Sequence, residues 1–173
     1  YCDWYIEFSK SRFYGLSNQD RLIAQSVMVY VLKNILKLLH PFAPFITEEI
    51  WSQFSENELL IISSYPQINQ KYIDRQSEDN IELIMQLVTS IRNIKIDLGI
   101  SPKKKIDIYC RGEEGKIIIF EKNKSHLEYL LNVDKIYIGD NIKKPGQSAT
   151  CVIQNIEIFL PLQGLIDINK EIS

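Results

Sequence analysis

The residues able to hold a metal or act as a strong nucleophile are Cys2, Cys110, Cys151, His40 and His126, and their spacing serves neither purpose. None has a second Cys or His at metal-ligand distance, so the cysteines read as reduced thiols and no metal site is expected. His40 precedes Pro41 at a helix end, where a cap or a packed side chain is its role. Carboxylates are plentiful, yet none is patterned with a nucleophile or with paired His, and no glycine-rich phosphate loop occurs. They read as solvated faces, and no catalytic residue is expected. What remains is recognition chemistry: Arg and Lys for phosphates, Asn for a paired donor and acceptor, and aromatic rings for stacking.

Charge limits how such recognition works. The formal net charge is −2, with 9 basic and 12 acidic residues up to Ile100 and 11 basic and 10 acidic from Ser101 onward. Neither half is a polyelectrolyte, so bulk attraction to nucleic acid is excluded and any RNA contact must come from a few placed side chains on one face. A 45% hydrophobic and 24% charged composition supports an ordinary packed core. The longest unbroken apolar runs, Val27 to Leu32 and Ile117 to Phe120, are far shorter than the roughly 20 residues that cross a bilayer, and no membrane partner is expected. The chain opens at Tyr1 without an initiator Met or a signal segment, which predicts a piece of a longer protein.

The elements that must position these groups follow from periodicity. Tyr1, Trp4, Tyr5 and Phe8 fall on one face of a first short helix ending near Gly15. Asn18 is the expected cap of a second, whose stripe is Ala24, Met28, Val31, Ile35, Leu38 and Leu39. The run from His40 to Trp51 then holds a helix stop, two prolines and a helix start. Pro41 and Pro44 break the helix, Thr47 is the expected cap of a third helix, and Phe42, Phe45, Ile46, Ile50 and Trp51 are expected to fill the corner. A fourth helix carries Ile84, Leu87, Ile91, Ile94 and Leu98 on one face and stops at Gly99 and Pro102. Beyond residue 102 the period changes. Ile106, Ile108 and Cys110 alternate with polar residues as a strand; 113–131 reads as helix, 135–138 as a short strand, and 150–153 and 156–160 as arms of a hairpin turning at Gln154 and Asn155. The expected fold is mainly α with an appended α+β module: a four-helix bundle over 1–100, then a small mixed α/β subdomain over 101–173 that packs on it.

Four segments carry a family resemblance. His40-Pro41-Phe42-Ala43-Pro44-Phe45 resembles the helical anticodon-binding domain of class I aminoacyl-tRNA synthetases. The opening Tyr1 to Lys10, the run Ile91-Arg92-Asn93-Ile94-Lys95 with Gly99-Ile100-Ser101-Pro102, and Ile158 to Asp167 are similar to segments of valyl-tRNA synthetases in the same order, the last leading into a C-terminal coiled-coil arm absent here. The resemblance implies a non-catalytic fragment of a cytoplasmic, ATP-dependent valine–tRNA ligase. Its partner would be tRNA of the valine isoacceptors, not DNA, and it would act as a monomer. No cofactor is expected in this fragment, since the class's two nucleotide-binding signatures are missing and ATP would be held elsewhere in the full-length enzyme. The RNA-facing residues would be Arg12, Arg92, Asn93 and Lys95, with Tyr1 and Tyr5 as stacking candidates; Trp4 and Trp51 are assigned to the core. Two alternatives stand beside this: the same region of an isoleucyl enzyme, and a helical protein-interaction module without RNA binding.

Overall fold

The computed structural model describes residues 4–14, 17–54, 58–101 and 103–163. Two compact units divide them: Ser9–Ile73, and residues 4–8 together with 74–163. The division does not follow a break at residue 100. The fourth helix, α4, shares its core with the sheet that follows it, because its apolar stripe is wide enough to need a partner layer.

In the unit Ser9–Ile73 the last residues of α1 (Trp4–Phe13) precede α2 (Asn18–Leu39) and α3 (Pro44–Ser52). The cap of α2 is Ser17, whose hydroxyl accepts from the Asp20 amide at 3.2 Å; Asn18, the expected cap, is the first helical residue and bonds Arg21 instead. Ala24 and Leu36 are its buried residues, while Leu38 and Leu39 lie exposed, so the stripe runs in a slightly different phase from the one expected. An 18-residue stretch of α2 has a mean hydropathy of 1.5, enough by length and composition for a membrane span, which unbroken runs alone do not register.

The proline corner forms, with its residues differently used. Pro44 takes the first turn of α3, where a missing N–H costs nothing, so the helix starts three residues before Thr47. Thr47 is buried mid-turn; its hydroxyl donates to the Ala43 carbonyl at 2.8 Å and lies 2.8 Å from His40 Nδ1. Trp51 is 4% exposed and packs with Leu36 and Leu60. Phe42 and Phe45, by contrast, are 86% and 92% exposed, and Ile46 is exposed too. They do not fill the corner: Phe42 lies in the turn before α3, and starting α3 at Pro44 turns Phe45 and Ile46 on its first coil outward.

In the other unit α4 (Arg75–Asp97) is capped by Asp74, whose carboxylate accepts from the Ser77 hydroxyl and amide and is thereby held below the usual carboxylate range. Leu83, Ile84, Leu87, Val88 and Ile91 are buried along it. Gly99, at φ +62°, closes the helix: its amide bonds the Ile96 carbonyl at 2.9 Å and the Ile100 amide bonds the Lys95 carbonyl at 2.7 Å, the paired bonds of a Schellman end. A methyl group added there meets no atom within 4 Å. Gly99→Ala is therefore expected to cost about 1 kcal/mol through backbone strain alone, and Gly99→Asn less, in denaturant melts.

The chain continues through β1 (Ile108–Arg111), α5 (Glu114–Lys122), α6 (Lys124–Leu131), β2 (Ile136–Gly139), β3 (Ser148–Ile153) and β4 (Ile156–Pro161). The expected single helix over 113–131 is two, parted at Asn123. The sheet order is β2-β1-β4-β3, with β1 and β2 parallel and the other pairs antiparallel. Gln154 and Asn155 both take positive φ, the turn that a two-residue hairpin requires, at the expected place. Ile108, Cys110, Ile136, Ile158 and Leu160 join the α4 stripe, Phe120 and Leu127 in one core. Within it, burial pushes the Cys110 thiol up to about 12, consistent with an inert reduced cysteine.

Candidate nucleic-acid interface

The candidate RNA-facing residues fall in different settings. Arg12, near the end of α1, is exposed, and no hydrogen bond or ion pair engages it among the described residues. Asn93 is exposed on α4 and likewise unengaged among the described residues. Tyr5 is half-buried on α1, and Tyr1 lies outside the described residues.

Arg92 and Lys95 are brought together, though by protein rather than for RNA. One turn apart on α4, they reach the C-terminal end of α6: an Arg92 Nη donates to the Leu130 carbonyl at 3.2 Å and Lys95 Nζ to the Leu131 carbonyl at 3.0 Å. Carbonyls at a helix end lack intrahelical donors and carry the negative pole of its dipole, so two cations satisfy them well. Lys95 is only 4% exposed, and burial, with the Arg92 charge adding, holds its pKa below the ordinary lysine value. That placement corrects the expectation for Lys95: its ammonium is spent inside the fold and presents nothing to a phosphate. Arg92 is exposed as a residue, and its guanidinium carries more donors than the one given to Leu130. The signal missed in the sequence is non-local, since the carbonyls lie 36 and 38 residues away.

Two depressions lie within the unit that holds the sheet. One, of about 590 Å³, is lined by Trp4, Glu82, Gln86, Ser90, Ile153 and Gln154, with Gln154 bonded to Gln86 at 3.1 Å. The other, of about 380 Å³, carries Glu114, Glu121 and Asp140, a negative rim that repels phosphate. No cluster of metal-ligating side chains occurs among the described residues.

Against this geometry, residues 1–110 match the family described as the anticodon-binding domain of tRNA ligase. The chain belongs to that family. The match takes in α2, so its apolar helix is part of an anticodon-binding domain. Along nearly the whole chain the domain and its appended module are similar to valine–tRNA ligases: 33% identical to that of Geobacillus kaustophilus over 99% of the chain, 35% to that of Oceanobacillus iheyensis and 33% to that of Bacillus subtilis, each over 100%. The chain spans about 20% of the length of these relatives.

Proposed function

We propose that this chain is the part of an ATP-dependent valine–tRNA ligase that recognises the anticodon stem and loop of valine isoacceptors. The observation that carries the reading is similarity to valine–tRNA ligases running through both the helical segment and the sheet module, beyond the end of the family match at residue 110. Similarity at that breadth favours the valine enzyme over the isoleucine one. The helices α1 to α4 would act as the anticodon-binding bundle, a monomer in the cytoplasm would carry it, and ATP binding, valine activation and transfer would reside in the rest of the enzyme. Within the fragment, Arg12 and Asn93 have the uncommitted donors that phosphates and splayed bases require, with Arg92, Tyr5 and Tyr1 beside them in the reading.

Arg12 gives the test. In the full-length ligase, Arg12→Gln is expected to weaken tRNA binding and to lower the slope of log affinity against log salt by about 1, the mark of one phosphate no longer neutralised. Melting should stay within about 0.5 kcal/mol, because the guanidinium has no intramolecular partner among the described residues. Binding and slope both unchanged would remove Arg12 from the interface. A full-length protein that does not bind tRNA at all would overturn the function itself.

A further inference from the structure

Successive residues of a strand face opposite sides, and in this sheet the two sides differ sharply. Ile108, Cys110, Ile136, Ile158 and Leu160 turn toward the helices and are buried. Tyr109, Tyr137 and Phe159 therefore turn the other way, and register places them side by side: Tyr109 is paired with Tyr137 on β2 and with Phe159 on β4.

The connection from β2 to β3 joins opposite edges of the sheet. Arg111 Nη1 donates to the Ile142 carbonyl within that connection at 3.4 Å, and Arg111 and Lys144 lie over the Phe159 ring at 5.3 and 5.8 Å from its centroid. Phe159 is thus covered and Tyr109 is half-buried, while Tyr137 is left exposed. The two tyrosine rings stack at 4.7 Å between centroids and 16° between planes, with Tyr137 38% exposed. Because β2 is an edge strand, the ring face of Tyr137 turned away from Tyr109 has no strand beside it.

Cations stand at both ends of this aromatic pair. Lys105 and Lys135 precede β1 and β2, whose entries are joined by the Ile108 amide bonding the Lys135 carbonyl at 3.0 Å; Lys143 and Lys144 follow β2. All four are exposed. Of the nearby charges, Glu157 is bound by Arg111 at 2.6 Å and Asp134 pairs with Lys105 at 4.0 Å, which leaves Lys135, Lys143 and Lys144 against Asp107 and Asp140.

We propose that this outer sheet face is a second RNA-binding surface, on which an unpaired base stacks upon Tyr137 and the flanking phosphates meet the lysines at the strand ends. A ring stack open at one end with cations on either side matches what a single-stranded RNA segment presents, flat bases joined by charged linkers. Burial first, with Asp107 and Tyr137 adding, pushes the Tyr109 hydroxyl up, so it stays a hydrogen-bond donor at neutral pH. The proposal rests on the reading of the chain as part of a tRNA ligase and adds to it an RNA-binding face outside the helical segment.

The test is equilibrium binding of a valine tRNA transcript to the full-length ligase at several salt concentrations. Tyr137→Ala is expected to weaken binding by about 5- to 150-fold, the range for losing one stacked base, while Tyr137→Phe keeps near-normal affinity because the ring remains. Replacing Lys143 and Lys144 together with Gln should lower the salt slope by about 1 for each phosphate that is no longer neutralised. Normal affinity in Tyr137→Ala, or equal losses in the Ala and Phe variants, would overturn the stacking surface. So would a Tyr137→Ala protein that loses stability but keeps its tRNA affinity, since another part of the ligase would then cover the face. Absence of tRNA binding by the unsubstituted ligase would instead sink the functional reading beneath it.

Discussion

Trp51→Ala is expected to lower stability by about 3 to 5 kcal/mol, the largest effect of any single truncation in the unit Ser9–Ile73. The core there is small: Trp51, Leu36 and Leu60 are its buried members, with Leu32 and Ile50 packed against them. Removing the indole leaves a void that so few neighbours cannot close, and it also strips the Glu58 carbonyl of the Nε1 donor that reaches it at 2.9 Å. Lys33 and Lys37 lose the ring over which their ammonium groups sit at 5.4 and 5.5 Å from its centroid. Urea melting followed by far-ultraviolet dichroism, with hydrogen exchange at α2 amides to locate the loss, is the measurement. A cost below about 1 kcal/mol would mean the ring is solvated in the protein and free to stack on RNA. Trp51→Phe should recover part of the loss but leave the Glu58 carbonyl unbonded.

Leu87→Ala comes next, at about 2 to 5 kcal/mol. Leu87 is fully buried at the middle of α4, among the residues that α4 shares with the sheet. The informative readout is where the loss is felt. If α4 and the sheet form one core, amide exchange should accelerate in β1 and β4 as well as in α4, since opening the helix uncovers Ile108 and Ile158. Acceleration confined to α4 amides would show instead a helix that packs without sharing a cooperative core.

Those two residues also mark how much of the molecule was legible beforehand. The α4 stripe could be read because seven-residue recurrence survives any choice of partner layer, although the partner turned out to include a strand sheet rather than only other helices. The hairpin at Gln154 and Asn155 was legible for a similar reason, as two alternating apolar runs leave only two residues for the turn. Burial at the proline corner was legible for Trp51 and wrong for Phe42, Phe45 and Ile46. Residue type argues for burial, but direction depends on the residue at which a helix starts, and the helix expected from Thr47 starts at Pro44. Lys95 lay beyond local reasoning altogether. Lysines are surface residues by default, and nothing near it in sequence announces that another helix ends beside it.

The two cations on the end of α6 have a consequence for sequence length. They act as a gauge: Arg92 and Lys95 are fixed on a rigid helix, so the carbonyls of Leu130 and Leu131 must arrive at one height and one angle. Inserting a single residue into α6 would advance its end by about 1.5 Å and swing it by about 100°, presenting side chains where the ammonium now finds oxygen. The eight residues of α6 cannot change in number without a new set of acceptors for Arg92 and Lys95.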